Sequence, residues 1–283
     1  MIERAIIFGC EGEELLGILH DVARDARSPS AERAVLVIVG GPQYRVGSHR
    51  QFVLMARHLA DAGYPVLRFD YRGMGDSGGE TRTFEQAGPD VRAALDIMFR
   101  ELPGLRSVCI FGLCDAASAA LMFGAPDPRV DALVLANPWV RTDAGQAKAI
   151  VQHYYGKRLF EKSFWAKLLS GGLNPVAALS GLLRQWRQSR NARPLEQGFI
   201  ARMLDGLAAF RGPVLLLLSA RDLTAREFED LCRSDTAWRD AMEAACVKRV
   251  NLVDTDHTFS DESGLMAANA ATRGFLDSHY RGK

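Results

Sequence analysis

Ser107-Val108-Cys109-Ile110-Phe111-Gly112-Leu113-Cys114-Asp115-Ala116-Ala117 is the stretch on which the reading of this chain turns. A short, β-rich apolar run ends at Leu113, and an alanine-rich helical pattern starts within two residues. Small side chains flank a single nucleophile-capable one, as a strained strand-to-helix elbow requires, because larger Cβ substituents would collide inside the turn. Such an elbow thrusts Cys114 outward and aims the following N–H, that of Asp115, at a developing oxyanion. The start of a helix favours a thiolate, whereas the Asp115 carboxylate beside it opposes one, so the resting charge of the sulfur stays open. A lone cysteine is usually a small core hydrophobe. Cys109, Cys232 and Cys246 take that plain reading; Cys114 departs from it by context.

Working outward, short apolar runs alternate with helix-period segments, the rhythm of an α/β fold with a mostly parallel, doubly wound sheet. Ala5–Phe8 and Glu14–His20 predict an opening antiparallel pair. Ala34–Val39, Pro65–Phe69, Ser107–Leu113, Val130–Ala136, Pro213–Ser219 and Arg249–Val253 predict the strands that follow. Helices are expected over Gln51–Ala62, Asp90–Arg100, Asp115–Phe123, Arg226–Arg233, Ala237–Ala245 and Gly264–Tyr280. Between Asn137 and about Arg211 the rhythm breaks into helical patterns without a convincing strand. The expected organisation is therefore a core over residues 1–136 and 212–283, with a helical cap inserted over 137–211.

Ligands in open α/β sheets sit beyond the carboxyl ends of the strands, so each strand exit is a place to look for chemistry. Gly40-Gly41-Pro42-Gln43 follows the third strand. Its paired glycines permit a sharp turn and a close backbone approach; Gly41 is the candidate for a second oxyanion donor, because Pro42 has no N–H. An ordinary Gly-Pro turn explains the same residues equally well. The next exit, Asp70-Tyr71-Arg72-Gly73-Met74-Gly75-Asp76-Ser77, lacks the Lys-Ser/Thr ending of a phosphate loop and reads as a tight structural loop.

A nucleophile needs a base and an acid to orient it. Six histidines are available: His20, His49, His58, His153, His257 and His279. Only His257 follows a late strand exit, in Val253-Asp254-Thr255-Asp256-His257-Thr258-Phe259. Asp222, directly after the leucine-rich strand, is the acid candidate, with a helix N-cap as its simpler role. Asp254 and Asp256 are rivals by proximity, but sequence neighbours rarely reach the far ring nitrogen, and Asp256 is suited to bonding within its own loop.

The chain order Cys114, Asp222, His257 is that of nucleophile, acid and base in α/β-hydrolases, and the sequence resembles that superfamily over nearly its whole length, the insertion excepted. Within it the chain is most similar to the exosortase A system-associated hydrolase 1 group, on Gly40-Gly41-Pro42-Gln43-Tyr44-Arg45 and Asp222-Leu223-Thr224-Ala225-Arg226. The resemblance implies an α/β-hydrolase fold, a serine-aminopeptidase- or esterase-like activity and a setting in bacterial exopolysaccharide and protein-sorting systems. Three positions depart from the pattern. Cys114 replaces the usual serine, as in dienelactone hydrolases and polyester synthases; Ala116 replaces the last elbow glycine; Val39 stands where many relatives carry histidine.

Composition narrows the partners. The 283 residues carry 35 Lys and Arg against 34 Asp and Glu, a formal charge of +1, which argues against a dedicated nucleic-acid binder. Five scattered cysteines fit reduced thiols better than a disulfide framework. The first apolar run is too short for a signal peptide, and no run approaches the roughly 18 residues of a membrane span, so a soluble cytoplasmic protein is expected. No cofactor is implied, and no ligand spacing suggests a metal. Residues 141–211 hold 12 Lys and Arg against 4 Asp and Glu. Such a segment suits an anionic acyl substrate, a coenzyme-A thioester or peripheral contact with an acidic membrane, although a cleft cover with solvated charges is the simpler reading.

A cysteine nucleophile passes through a thioester, which water or another acceptor resolves. Hydrolysis of an ester or thioester is the leading expectation. An acyltransferase with the same covalent step and a non-catalytic binding protein on the same fold are the alternatives.

Overall fold

The computed structural model describes residues 2–22, 31–41, 43–141, 198–244 and 246–280. Eight strands form one sheet: β1 (Ile2–Cys10), β2 (Glu13–Asp21), β3 (Arg33–Ile38), β4 (Val66–Phe69), β5 (Ser107–Leu113), β6 (Val130–Ala136), β7 (Val214–Ser219) and β8 (Val247–Leu252). Their spatial order is β1-β2-β4-β3-β5-β6-β7-β8. β1 pairs antiparallel with β2, and β2 antiparallel with β4; every later pairing is parallel. The unbroken apolar runs explain the arrangement. β4, β5 and β7 are buried at every residue, as strands covered on both faces must be. β1 alternates exposed and buried positions along its C-terminal half and can serve as an edge.

Period-two alternation divides the central strands between two helical layers. Val35, Val37, Cys109, Phe111, Val134 and Leu217 belong to one core together with Phe52, Met55 and Leu59 of α1 (Gln51–Asp61) and Phe275 and Leu276 of α7 (Glu262–Tyr280). On the other side of the sheet the helices are α2 (Gly88–Glu101) and α3 (Asp115–Ala119). The helix expected over Asp115–Phe123 changes character after Ala119. Residues Ala120–Gly124 form a wider turn in which the Ala125 N–H reaches the Ala120 carbonyl, absorbing one extra residue per turn.

Residues 1–140 and 200–283 group as one compact unit. Within it α4 (Gly198–Ala209) buries Met203 and Leu207 and sets Arg202 over the Phe123 ring at 5.0 Å. The expected cap over 137–211 lies outside the described residues from 142 to 197. Among the described residues, α5 (Leu223–Ser234) and α6 (Thr236–Ala244) complete the α-helices. Among the described residues no helix is long and apolar enough to cross a membrane.

The loops after β3 and β4 are knitted together by charge. Asp70, fully buried at the end of β4, accepts the Arg45 N–H at 2.6 Å, pairs with the Arg45 guanidinium and accepts the Asp76 N–H at 3.1 Å. Asp76 in turn accepts from Tyr44 Oη and pairs with Arg45 Nη2 at 2.9 Å. Arg72 is held the same way by the buried Asp90 carboxylate, 2.9 Å away. The Asp70–Ser77 loop is thus a clasp on the Gly40–Arg45 turn. Removing one member of a buried ion pair strands the other charge. Asp70→Ala should cost about 3 kcal/mol in urea unfolding, whereas Asp76→Ala, at a side chain already half exposed, should move the midpoint far less.

Candidate active site

β3 and β5 are neighbours in the sheet, with Ile38 in register with Gly112, and the chain leaves them toward opposite flanks. Their exits therefore open the crevice where an α/β sheet takes its ligand. Cys114, one residue beyond β5, has φ 63° and ψ −127°, a conformation L residues adopt only at a cost of roughly 1–3 kcal/mol. Neighbouring strands enforce it. The Cys114 N–H donates to the Ala136 carbonyl at 2.9 Å, while the Cys114 carbonyl accepts from Ala117, Ser118 and Trp139. A Cβ on Gly112 would stand 2.5 Å from the Ala116 carbonyl oxygen, so the small residues before the elbow are steric necessities.

His257 lies in the loop after β8. Its Nδ1 is 2.7 Å from Asp222 Oδ2, and Cys114 lies close enough to the imidazole to influence its titration. The hydrogen bond to Asp222, followed by the influence of the nearby Cys114, outweighs burial and lifts His257 from its ordinary 6.5 to about 10. Asp222 combines both roles open to it. It caps α5 by accepting the Thr224 N–H at 3.0 Å and the Ala225 N–H at 3.3 Å, and it holds the histidine with the same carboxylate. Three residues separated by up to 143 positions are thus brought to one place, with Asp222 hydrogen-bonded to His257 and Cys114 beside the ring.

The competing residues lie elsewhere. Asp256 bonds within its loop, accepting the Thr258 and Ser260 N–H groups at 3.2 and 2.9 Å, and Asp254 is exposed. His20 is fully buried and accepts from Arg68 Nε at 2.8 Å; burial, reinforced by the Arg68 charge, drops it to about 4. Cys109 is fully buried, and that burial pushes its thiol well up; Cys232 is pushed to about 12 by the same cause. His153 lies outside the described residues. Among the described residues no group of three His, Cys, Asp or Glu side chains is placed to hold a metal ion.

Gly41 and Asp115 do converge, but with an added feature. The Gly41 N–H donates to both carboxylate oxygens of Asp115, at 2.8 and 2.9 Å. One residue escaped the reading of the sequence altogether. Asn137, fully buried with φ 45°, donates to Ser219 Oγ at 3.0 Å and to the His257 carbonyl at 3.2 Å, and accepts the Ser219 N–H at 2.8 Å. It ties the ends of β6 and β7 to the histidine loop. Its signal in the sequence was an Asn-Pro pair at a strand exit, since asparagine tolerates positive φ better than most residues.

A family model described as serine aminopeptidase, S33, matches residues 30–188, more than half the chain and the part that carries the elbow. The chain belongs to that hydrolase family. Among solved structures it is similar to the esterase Pf2001 of Pyrococcus furiosus, with 17% identity, a TM-score of 0.65 and coverage of 98% of this chain and 93% of that one. It is similar also to Est1E of Butyrivibrio proteoclasticus, solved with ferulic acid bound, at 17% identity, TM-score 0.64 and coverage of 98% and 100%. At these identities the likeness is one of fold, and the fold is that of the α/β-hydrolases. An uncharacterized protein of Rickettsia prowazekii is 32% identical over 118 residues, 41% of this chain and 49% of that protein. The chain thus spans about half the length of the curated relative it matches. Unlike the serine named by its S33 family, the residue at this elbow is cysteine.

A histidine whose folded value exceeds its unfolded one stabilises the protein while protonated. The contribution of His257 is complete below its ordinary 6.5 and lost as pH rises through about 10. Thermal unfolding scans across that window should show Tm falling for the wild type and the fall flattening in His257→Gln. A level wild-type curve would exclude the paired imidazolium.

Proposed function

We propose that the protein is a cysteine-dependent hydrolase of esters or thioesters. The observation that carries this reading is the Asp222–His257 hydrogen bond beside Cys114 at the strand exits. His257 faces the sulfur and takes the proton of the Cys114 thiol as it attacks the carbonyl carbon. A C–S bond forms as the carbonyl π pair moves onto oxygen. Collapse of that tetrahedral species breaks the C–O or C–S bond to the leaving group, which takes the proton from His257. Water then attacks the thioester and gives a proton to neutral His257, which passes it to the sulfur as the C–S bond breaks. Asp222 fixes the tautomer through Nδ1 and stabilises the imidazolium.

The sulfur also points to a substrate class. A thiolate departs from the tetrahedral intermediate more readily than an amine does, so partition favours return to substrate for amides. Alkoxide and thiolate leaving groups compete better. The S33 family description names an aminopeptidase, and replacement of serine by cysteine turns this member toward the ester side, as in the esterases that share its fold. The positive excess of residues 141–211 supports an anionic acyl substrate, and five free cysteines support a reducing cytoplasmic setting. On motif resemblance we place the activity with the exosortase-associated hydrolases of exopolysaccharide and protein-sorting systems. A hydroxyl acceptor replacing water in the second step would make the protein an acyltransferase, and product analysis with added acceptor separates the two.

A panel of 4-nitrophenyl esters and acyl thioesters tests the assignment. Cys114→Ala should abolish turnover, Asp222→Asn should lower kcat by about 10⁴-fold, and a limiting alkylator should label Cys114 ahead of the other four cysteines. No turnover, no acyl adduct and no preference for Cys114 would identify a binding protein instead.

A further inference from the structure

The cradle that an acyl oxyanion needs is already filled by the protein's own side chain. Asp115 follows the nucleophile directly, and both its carboxylate oxygens accept from the Gly41 N–H, at 2.8 and 2.9 Å. The nearby N–H groups of Ala116 and of Asp115 itself also favour the charged carboxylate. These are the donors that an elbow and its facing glycine loop present to a developing negative charge. The seat is shaped for the occupant: a Cβ on Gly40 would fall 2.1 Å from Asp115 Oδ1. The same Cβ would stand 2.6 Å from the Leu113 carbonyl oxygen, so backbone packing and the carboxylate both require glycine at position 40.

Two anions cannot share one small set of donors, since like charges about 3 Å apart repel strongly where water is scarce. We propose that Asp115 is a resident anion of the oxyanion cradle, displaced by the substrate acyl group at each turnover, and that it thereby limits the rate and restricts the enzyme to substrates able to displace it. Burial raises the Asp115 carboxyl above its ordinary value, outweighing the N–H groups of Gly41, Ala116 and Asp115 that lower it. The ion is therefore held less firmly than the neighbouring N–H groups suggest, which suits a part that must leave. Small esters offer little remote binding energy to drive the displacement, and larger acyl groups offer more. The inference rests on Cys114 as nucleophile.

Two reactions at the same sulfur separate the cradle from the nucleophile. Alkylation by iodoacetamide passes through no oxyanion, whereas acylation by 4-nitrophenyl acetate does. The full-length wild type, Asp115→Ala and Asp115→Asn are compared by the ratio of acylation rate to alkylation rate, which cancels any change in sulfur reactivity. In Asp115→Ala the ratio should rise at least about tenfold, given that a single oxyanion donor is worth 10²–10³ in rate. Asp115→Asn, which keeps an acceptor without the charge, should rise less, by about threefold. The gain should shrink for long-chain esters. An unchanged or lower ratio in a folded Asp115→Ala overturns the proposal and makes the carboxyl a catalytic or structural group; if that variant does not fold, an unchanged ratio in Asp115→Asn does the same. Failure of iodoacetamide to modify Cys114 in any of the three proteins would instead sink the nucleophile assignment.

Discussion

The left-handed backbone of Cys114, at φ 63°, is the constraint on which the rest of the site depends. A residue in that region relaxes unless its surroundings over-determine it. Here the surroundings are the sheet itself. The Cys114 N–H is bound to the last residue of β6, and its carbonyl is bound both by the first turn of α3 and by Trp139 after β6. Packing of β5 between β3 and β6 therefore does more than bury leucine and valine. It holds one sulfur at a fixed height above the strand ends, where the other exits deliver their side chains.

The same economy appears at Asp222. A helix N-cap and a triad acid have similar requirements: a short, buried carboxylate on a rigid exit. The two N–H bonds from α5 fix the carboxylate before the histidine arrives, so the His257 bond is made with little further loss of freedom. Asn137 extends the fixation to the histidine backbone by bridging β6, β7 and the loop after β8. Orientation of the imidazole is thus distributed over three strand ends, and no single loop carries it.

The acidic residue after the nucleophile gives the site a character of its own. Small residues at positions 40 and 112 admit close backbone approach in any such elbow, yet Gly40 here also makes room for a carboxylate. The clasp of Arg45 on Asp70 and Asp76 steadies the far end of that glycine turn. A charged network behind the loop and a carboxylate in front of it leave the Gly41 N–H well ordered but occupied.

Much of this was legible in the residues. Continuous apolar runs are enough to mark strands buried on both faces, and Ser107–Leu113 and Val130–Ala136 begin and end where the pattern places them. The meeting of Asp222 and His257 near Cys114 was expected from their positions at strand exits, because an α/β sheet collects its exits along one edge. Other features depend on distances that no local pattern encodes. Asp115 was legible as a neighbouring charge and as an N–H donor, but whether its side chain turns outward or back onto Gly41 is decided by the space left beside Gly40, 75 positions earlier. Asn137 reads as a turn residue until β7 and the His257 loop are brought to it. Periodicity and turn chemistry specify which elements form and in what order; only close packing decides which polar atoms meet, because a hydrogen bond is made or lost within about half an ångström.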